Sequence, residues 1–331
     1  MKKIDSHLHV AEIIAGYCRR GELRAAGNGM AEWGSGETFR LLPEGYGDTS
    51  FTAEAALAIM DRHQVEKAVL MQGSMYGFQN RYHYEIMKKY PDRFCPSCTL
   101  DPFMTNYLDI LSFLLKERKF RLVKFEVSSG GGLMGCHDPF DLDSGRMMKI
   151  YEMIDQCNAV VALDIGDRTM ASYQPENLSR VAKAFPKMKM VLCHLLAPAR
   201  GDEQRLWSDL ELLNQDNVWF DISSVPKIYA PDTYPYPDVN TLLRQAASRL
   251  GVKKLLWGTD APFAATQDSY GHLTDYLTHG GWTQEELDAI RQDAEAEMDE
   301  AVKFADASPY PDPATVLDDM YVTDNERCVA R

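Results

Sequence analysis

The chain alternates along most of its length between short apolar runs and stretches of helical periodicity. Apolar runs stand at 4–9, 67–71, 94–100, 120–127, 159–165, 188–194, 217–222 and 253–258. Segments with apolar residues at helical spacing follow at 51–63, 80–89, 105–118, 144–157, 175–184, 203–213, 239–249 and 269–300. Near-continuous apolar strands belong to a parallel sheet covered on both faces, and each parallel connection needs a crossover, usually a helix. Eight such units predict an α/β fold, a (β/α)8 or TIM barrel, for which about 250 residues is typical and insertions add to the length. A doubly wound open sheet is the runner-up. It is disfavoured because no glycine-rich phosphate fingerprint follows the first strand.

Two stretches depart from the alternation. Residues 15–50 are Gly-rich and lose all periodicity, so they are expected to form a long loop inserted after the first strand, of the kind that carries function. Residues 305–331 hold Pro309, Pro311 and Pro313 and read as a C-terminal extension across the barrel or a partner subunit. The expected organisation is one barrel domain over 1–304 and an extension over 305–331.

Composition bounds the function. A net charge of −14 argues against a nucleic-acid partner, which would need a basic face. No apolar run approaches the roughly 18 residues of a spanning helix, and no apolar stretch follows Lys2 and Lys3 as a secretory signal requires. The seven cysteines are irregularly spaced, and Cys95-x-x-Cys98 lacks the second pair that would complete a zinc set. They read as free thiols in a reducing cytoplasm. The acidic run 285–300 reads as a solvated helix face. A homo-oligomer, as a dimer, is the expected assembly.

In a barrel of this kind the active site forms at the C-terminal ends of the strands. His7 and His9 are two apart on the first strand and so project to one side, making half of a divalent metal site. The second strand ends in Gln72-Gly-Ser-Met-Tyr76, with Arg81 beyond. The fourth carries Lys124 and Glu126, with His137 in the loop after it, and the fifth ends in Asp164 with Arg168 following. His194 ends the sixth, Asp221 and Ser223 the seventh, and Gly258-Thr-Asp260 the eighth. Arg81, Lys124, Arg168 and Lys227 are cations near this rim in an acidic protein. Arginine forks a carboxylate, which points to a small carboxylated substrate. Tyr76 is placed to add an aromatic wall.

Asp5-Ser6-His7-Leu8-His9, His194 after the sixth strand and Trp257-Gly-Thr-Asp260-Ala-Pro262 after the eighth resemble the amidohydrolase superfamily. The nearest branch is the amidohydrolase-related group of aminocarboxymuconate-semialdehyde decarboxylases and pyrone-dicarboxylate lactonases. The resemblance covers about 1–290. It implies that His7, His9 and Asp260 are metal ligands, that Asp260 doubles as a proton acceptor, and that His194 is the catalytic acid or base. Metal-dependent relatives carry a histidine ligand on the fifth strand; this chain has Asp164, which would complete a His2Asp2 set suited to zinc and also to manganese.

The function expected from these residues is a metal-dependent hydrolase or decarboxylase acting on a small carboxylated cyclic or aromatic compound. Metal-bound water or metal-bound substrate would react, with Asp260 and His194 as acid and base. Arg168, Arg81, Tyr76, Lys124 and His137 form the expected substrate-binding set. A metal-independent lactonase of the same superfamily is the alternative, and a non-catalytic barrel retaining part of a site is the third reading.

Overall fold

The computed structural model describes residues 3–283 and 285–287. Strands β1 (Lys3–His9), β6 (Val65–Met71) and β7 (Phe94–Pro96) pair in parallel. Between β1 and β6 in the chain lie four further strands, β2 (Ala15–Cys18), β3 (Gly21–Gly27), β4 (Met30–Trp33) and β5 (Thr38–Arg40). Strands β8 (Leu122–Glu126), β9 (Val160–Asp164), β10 (Lys189–Leu192), β11 (Val218–Asp221) and β12 (Leu255–Leu256) form a second parallel array in chain order.

Two seams close these arrays into one barrel. Beyond β7, Cys98 bridges Val123 of β8, with Lys124 N donating to Cys98 O at 2.8 Å. Beyond β12, Leu8 of β1 bridges Ala261, and His9 N donates to Ala261 O at 2.8 Å. Eight parallel strands result, as the sequence predicts. Helices connect them, among them Ala53–Arg62, Asn80–Lys89, Gly145–Gln156, Pro175–Ala184, Glu203–Leu213 and Pro237–Leu250. The first is capped by Thr52, whose hydroxyl accepts from Ala55 N.

Alternation along each strand divides the barrel interior into two storeys. Low in the barrel, Leu122, Ala162, Val191, Trp219 and Leu256 meet in an apolar cluster. Two or four residues further along the same strands stand Lys124, Glu126, Asp164 and Asp221. The apolar storey contributes burial; the polar one is left for chemistry.

Residues 15–50 are not the loop expected. They form a four-stranded antiparallel sheet in the order β2-β3-β4-β5. Its strands are three to seven residues long, too short for periodicity to stand out among so many glycines. One signal was present: Asn28-Gly29 turns β3 into β4 with φ of 53° and 72°, and Asn-Gly is the strongest short-range hairpin dipeptide. Leu23, Ala31, Trp33, Leu41 and Leu42 pack into one core with Leu8, Val10 and Ile14 of the barrel. The backbone of Ala15 and Tyr17 donates to Tyr76 O and Ser74 O, both at 3.2 Å, which fastens the inserted sheet to the loop after β6.

Of the helices expected within 269–300, one is seen at Tyr270–His279. The acidic run beyond residue 287, the boundary at 304 and the extension 305–331 lie outside the described residues. Among the described residues no helix is long and apolar enough to cross a membrane, and the six described cysteines are free thiols.

Candidate metal and catalytic site

The ends of β1, β11 and β12 build the centre. His7 Nδ1 lies 2.5 Å from Asp221 Oδ2, and His9 Nδ1 lies 3.0 Å from the backbone oxygen of Met71. Both partners are acceptors, so each ring carries its proton on Nδ1 and turns a bare Nε2 inward. The two Nε2 atoms are 3.1 Å apart. Asp260 Oδ1 stands 3.0 Å from His9 Nε2 and 3.6 Å from His7 Nε2. In the Nδ1–H tautomer of both rings, three acceptor atoms converge without a donor among them, an arrangement that a cation inside it would satisfy. Ligand atoms of a tetrahedral zinc bonded at 2.0–2.2 Å are about 3.4 Å from one another. The spacings of 3.0 to 3.6 Å bracket that value, so the residues fit a divalent metal.

Neighbouring residues hold these three in place. Asp221 is fully buried; besides His7 it accepts from Ser223 N at 2.6 Å and from the Ser223 hydroxyl at 3.0 Å. Its carboxyl lies below the ordinary range: burial would raise it, but the facing imidazoles of His7 and His194 and the Ser223 amide outweigh that. Asp5, also fully buried, accepts from Thr259 N (2.9 Å), the Thr259 hydroxyl (2.6 Å) and His7 N (3.1 Å). It fastens β1 to the turn that presents Asp260, and burial pushes its carboxyl up to about 7. Gly258 has no room for a side chain, since a Cβ there would stand 2.8 Å from His7 N. Its identity therefore follows from the close approach of the two chain segments.

His194 enters from the other side of the barrel, its ring centroid 5.0 Å from that of His7. Its Nδ1 donates to Ser223 O at 3.0 Å, and its Nε2 faces Asp164 Oδ2 at 3.6 Å. Burial alone would lower its pKa, but Asp164 above all, with Asp260 and Asp221, pushes it up to about 10. Asp164 is held well below the usual carboxylate range by His194, Lys124 and Gly166 N, against its own burial. Both shifts favour an imidazolium facing a carboxylate. His194 through Ala197 run at φ of 50° to 59°, and Ser224 and Asp260 share this left-handed geometry at 56° and 58°. For side-chain-bearing residues that conformation costs roughly 1–2 kcal/mol each and concentrates at functional sites.

Four carboxylates, Asp164, Asp221, Asp260 and Glu126, surround this centre. They face the buried ammonium of Lys124, the half-buried one of Lys227 and the His194 imidazolium. Glu126 receives Ser74 N at 2.6 Å, and its carboxyl is raised by burial and by Asp164. Lys227 lies 3.6 Å from the centroid of the Phe263 ring; burial lowers its pKa and Asp260 counteracts the effect.

Two three-residue groups among the described residues have the geometry to hold a metal: His7, His9 and Asp260, and His7, His194 and Asp221. In the second, Asp221 is already committed to His7 Nδ1 and Ser223. The first group is therefore the better one. Asp164, expected as a ligand, belongs to neither and is paired with His194. Tyr76 is buried and stacks on His9 with centroids 4.8 Å apart. The remaining substrate-binding candidates have positions or partners of their own. Arg81 lies exposed in the first turn of the helix Asn80–Lys89, the helix expected over 80–89. Arg168 is exposed and paired with Asp202 at 2.6 Å. His137 pairs with Asp101 at 2.7 Å and stacks against Phe103. Asp221 and Glu126 had no role assigned from sequence, although their place at strand ends was the available signal.

The structure is a closed parallel barrel with a candidate His/Asp metal site at its C-terminal rim. The chain belongs to the amidohydrolase family, whose model matches residues 4–298. Comparison with curated proteins finds no match. Among solved structures, a probable 2-pyrone-4,6-dicarboxylic acid hydrolase from Acinetobacter baumannii is similar at 19% identity and TM-score 0.60, over 87% of this chain and 95% of its own. A zinc-bound amidohydrolase from Burkholderia multivorans is similar at 14% identity and TM-score 0.63, over 88% and 96%. A 2,6-dihydroxybenzoate decarboxylase from Rhizobium is similar at 16% identity and TM-score 0.52, over 71% and 84%. At these identities the likeness is one of fold.

Proposed function

We propose that this chain is a metal-dependent hydrolase or decarboxylase of a small carboxylated cyclic or aromatic compound, with zinc held by His7 Nε2, His9 Nε2 and Asp260 Oδ1. The observation that carries the proposal is the convergence of those three acceptors at metal-ligand spacing. Zinc in the Burkholderia relative supports the choice of metal, and the hydrolase and decarboxylase similarities support the reaction classes. A metal there would act as a Lewis acid toward a substrate oxygen and lower the pKa of water at the site.

The chain's own groups supply the rest. Asp221 fixes the ring and tautomer of His7, so that its Nε2 always faces inward. The Ser224 hydroxyl donates to Asp260 Oδ2, leaving Oδ1 toward the histidines. His194, kept charged by Asp164, is the proton donor to a developing oxyanion or carbanion, and it recovers the proton on the return step. Lys227, beside Asp260, is placed to pair with a substrate carboxylate. A metal-independent lactonase is the second reading, favoured by the engagement of Asp164 with His194 rather than with the acceptor cluster.

The test is a panel of lactones and aromatic carboxylates offered to zinc-loaded protein, following ring opening by acid release and decarboxylation by CO2. Turnover of at least one member, abolished in His194→Ala, is expected. Full turnover by His194→Ala removes the acid–base assignment, and undiminished turnover after chelation favours the metal-free reading.

A further inference from the structure

Beside the acceptor cluster is a cleft that the proposed chemistry does not use. Gln72, Ser74, Phe78, Thr99, Glu126 and Leu133 line it together with Gly73. Its open space is about 10 Å³, room for one group the size of a water molecule. Glu126 supplies its charge and is partly exposed there.

Two glycines keep that carboxylate uncovered. A Cβ at Gly73 would stand 2.8 Å from Glu126 Oε2 and 3.8 Å from His9 Cε1, so the gap between the carboxylate and a metal-binding histidine is one side chain wide. A Cβ at Gly131 would stand 3.2 Å from Glu126 Oε1. Gly131, within the glycine run 130–132 after β8, thus leaves the second oxygen open. Ser74 N holds Oε2 at 2.6 Å and fixes the side chain's direction. A carboxylate oriented in this way, one small gap from the reacting centre, is an acceptor waiting for a donor.

We propose that Glu126 is a specificity-determining residue that receives a hydroxyl or ammonium group of the substrate, the cleft admitting that single group while the rest of the molecule lies over His9. This rests on the reading of the site given above. The charge pattern orients the substrate: Lys124 is buried and already faced by Glu126 and Asp164, so the cation left for a substrate carboxylate is Lys227 on the Asp260 side. The substrate class is therefore a compound with a carboxylate at one end and a hydrogen-bond donor at the other.

The test uses zinc-loaded protein and matched benzoates bearing a methyl, hydroxymethyl or aminomethyl group at the meta or para position, with affinities read by calorimetry. An aminomethyl benzoate is expected to bind at least about ten-fold tighter than its methyl partner, as a charged hydrogen bond allows. Glu126→Gln, which still offers an oxygen to Ser74 N, is expected to bring that ratio close to one. Glu126→Leu is expected to reverse it. Equal ratios in wild type and Glu126→Gln, or preference of the wild type for the methyl compounds, overturn this inference alone. If no benzoate binds the zinc-loaded protein, the carboxylate-binding reading of the centre falls, and this inference with it.

Discussion

The barrel's centre and its outer rim carry similar residue types, but the two regions differ in how those residues are held. At the centre, His7, His9, Asp221 and Asp260 sit on strand ends or the turns just beyond, and their polar atoms are directed by buried partners such as Asp5, Ser223 and Met71 O. On the rim, Arg168 and Arg81 are exposed, and Arg168 is already matched by an acid of its own. At the centre the converging acceptors suit a cation that the proposal supplies; on the rim a cation answers a local surface charge. Exposed pairs of the second kind contribute at most about 1 kcal/mol.

That contrast can be broken by substitution, beginning with the largest expected effect. Asp260→Ala and His7→Ala are expected to lower zinc affinity by about a thousand-fold or more, beyond the roughly 10–100-fold typical of an outer partner. Zinc titration monitored by calorimetry measures it, and a loss below ten-fold would mean that the acceptor cluster is not the ligand set. Asp221→Asn is expected to fall in that roughly 10–100-fold range, because it disturbs the tautomer of His7 without removing a ligand. An unchanged affinity would show that Asp221 does not orient His7.

A buried histidine behind the site gives a smaller effect, one that depends on pH. His83 is fully buried and donates from Nδ1 to Ser97 O at 2.8 Å. Burial lowers its pKa to about 4. The unfolded chain takes up this proton near pH 6.5 and the folded one does not until about pH 4. The contribution is therefore present in full above pH 6.5 and is lost as pH falls toward 4. It amounts to on the order of 3 kcal/mol. Urea unfolding between pH 4 and 7 should show that slope, flattened in His83→Gln; an equal slope in the variant would assign the acid sensitivity to other groups.

The smallest effects are expected at the rim. Arg81→Ala and Arg168→Ala should change stability by no more than about 0.5 kcal/mol and leave turnover within about two-fold of wild type. A large rise in KM for a carboxylated substrate would show instead that the arginine swings inward on binding.

The same division explains what could be read from the sequence. Strand ends are fixed by period and register, so His7, His9, His194 and Asp260 were legible as residues of one rim. The eightfold alternation was strong enough to give the barrel although β12 has only two residues. Loops carry no such ruler. Arg81 read as a rim cation and is exposed on its helix; His137 and Arg168 read as substrate contacts and are engaged by Asp101 and Asp202. The inserted sheet escaped because its hairpins are too short to show a period, apart from the Asn28-Gly29 turn. Asp164 shows a different limit. Its place at the end of β9 was legible, but its partner is chosen by side-chain distances across the barrel, where His194 rather than the acceptor cluster engages it.

Zinc stoichiometry tests the central claim most directly. Protein stripped with chelator, dialysed against zinc, freed of loosely bound metal and analysed by atomic emission is expected to retain one zinc per chain, with none retained by Asp260→Ala. Retention of no zinc by the wild type, or equal retention by the variant, would contradict a metal centre built from His7, His9 and Asp260.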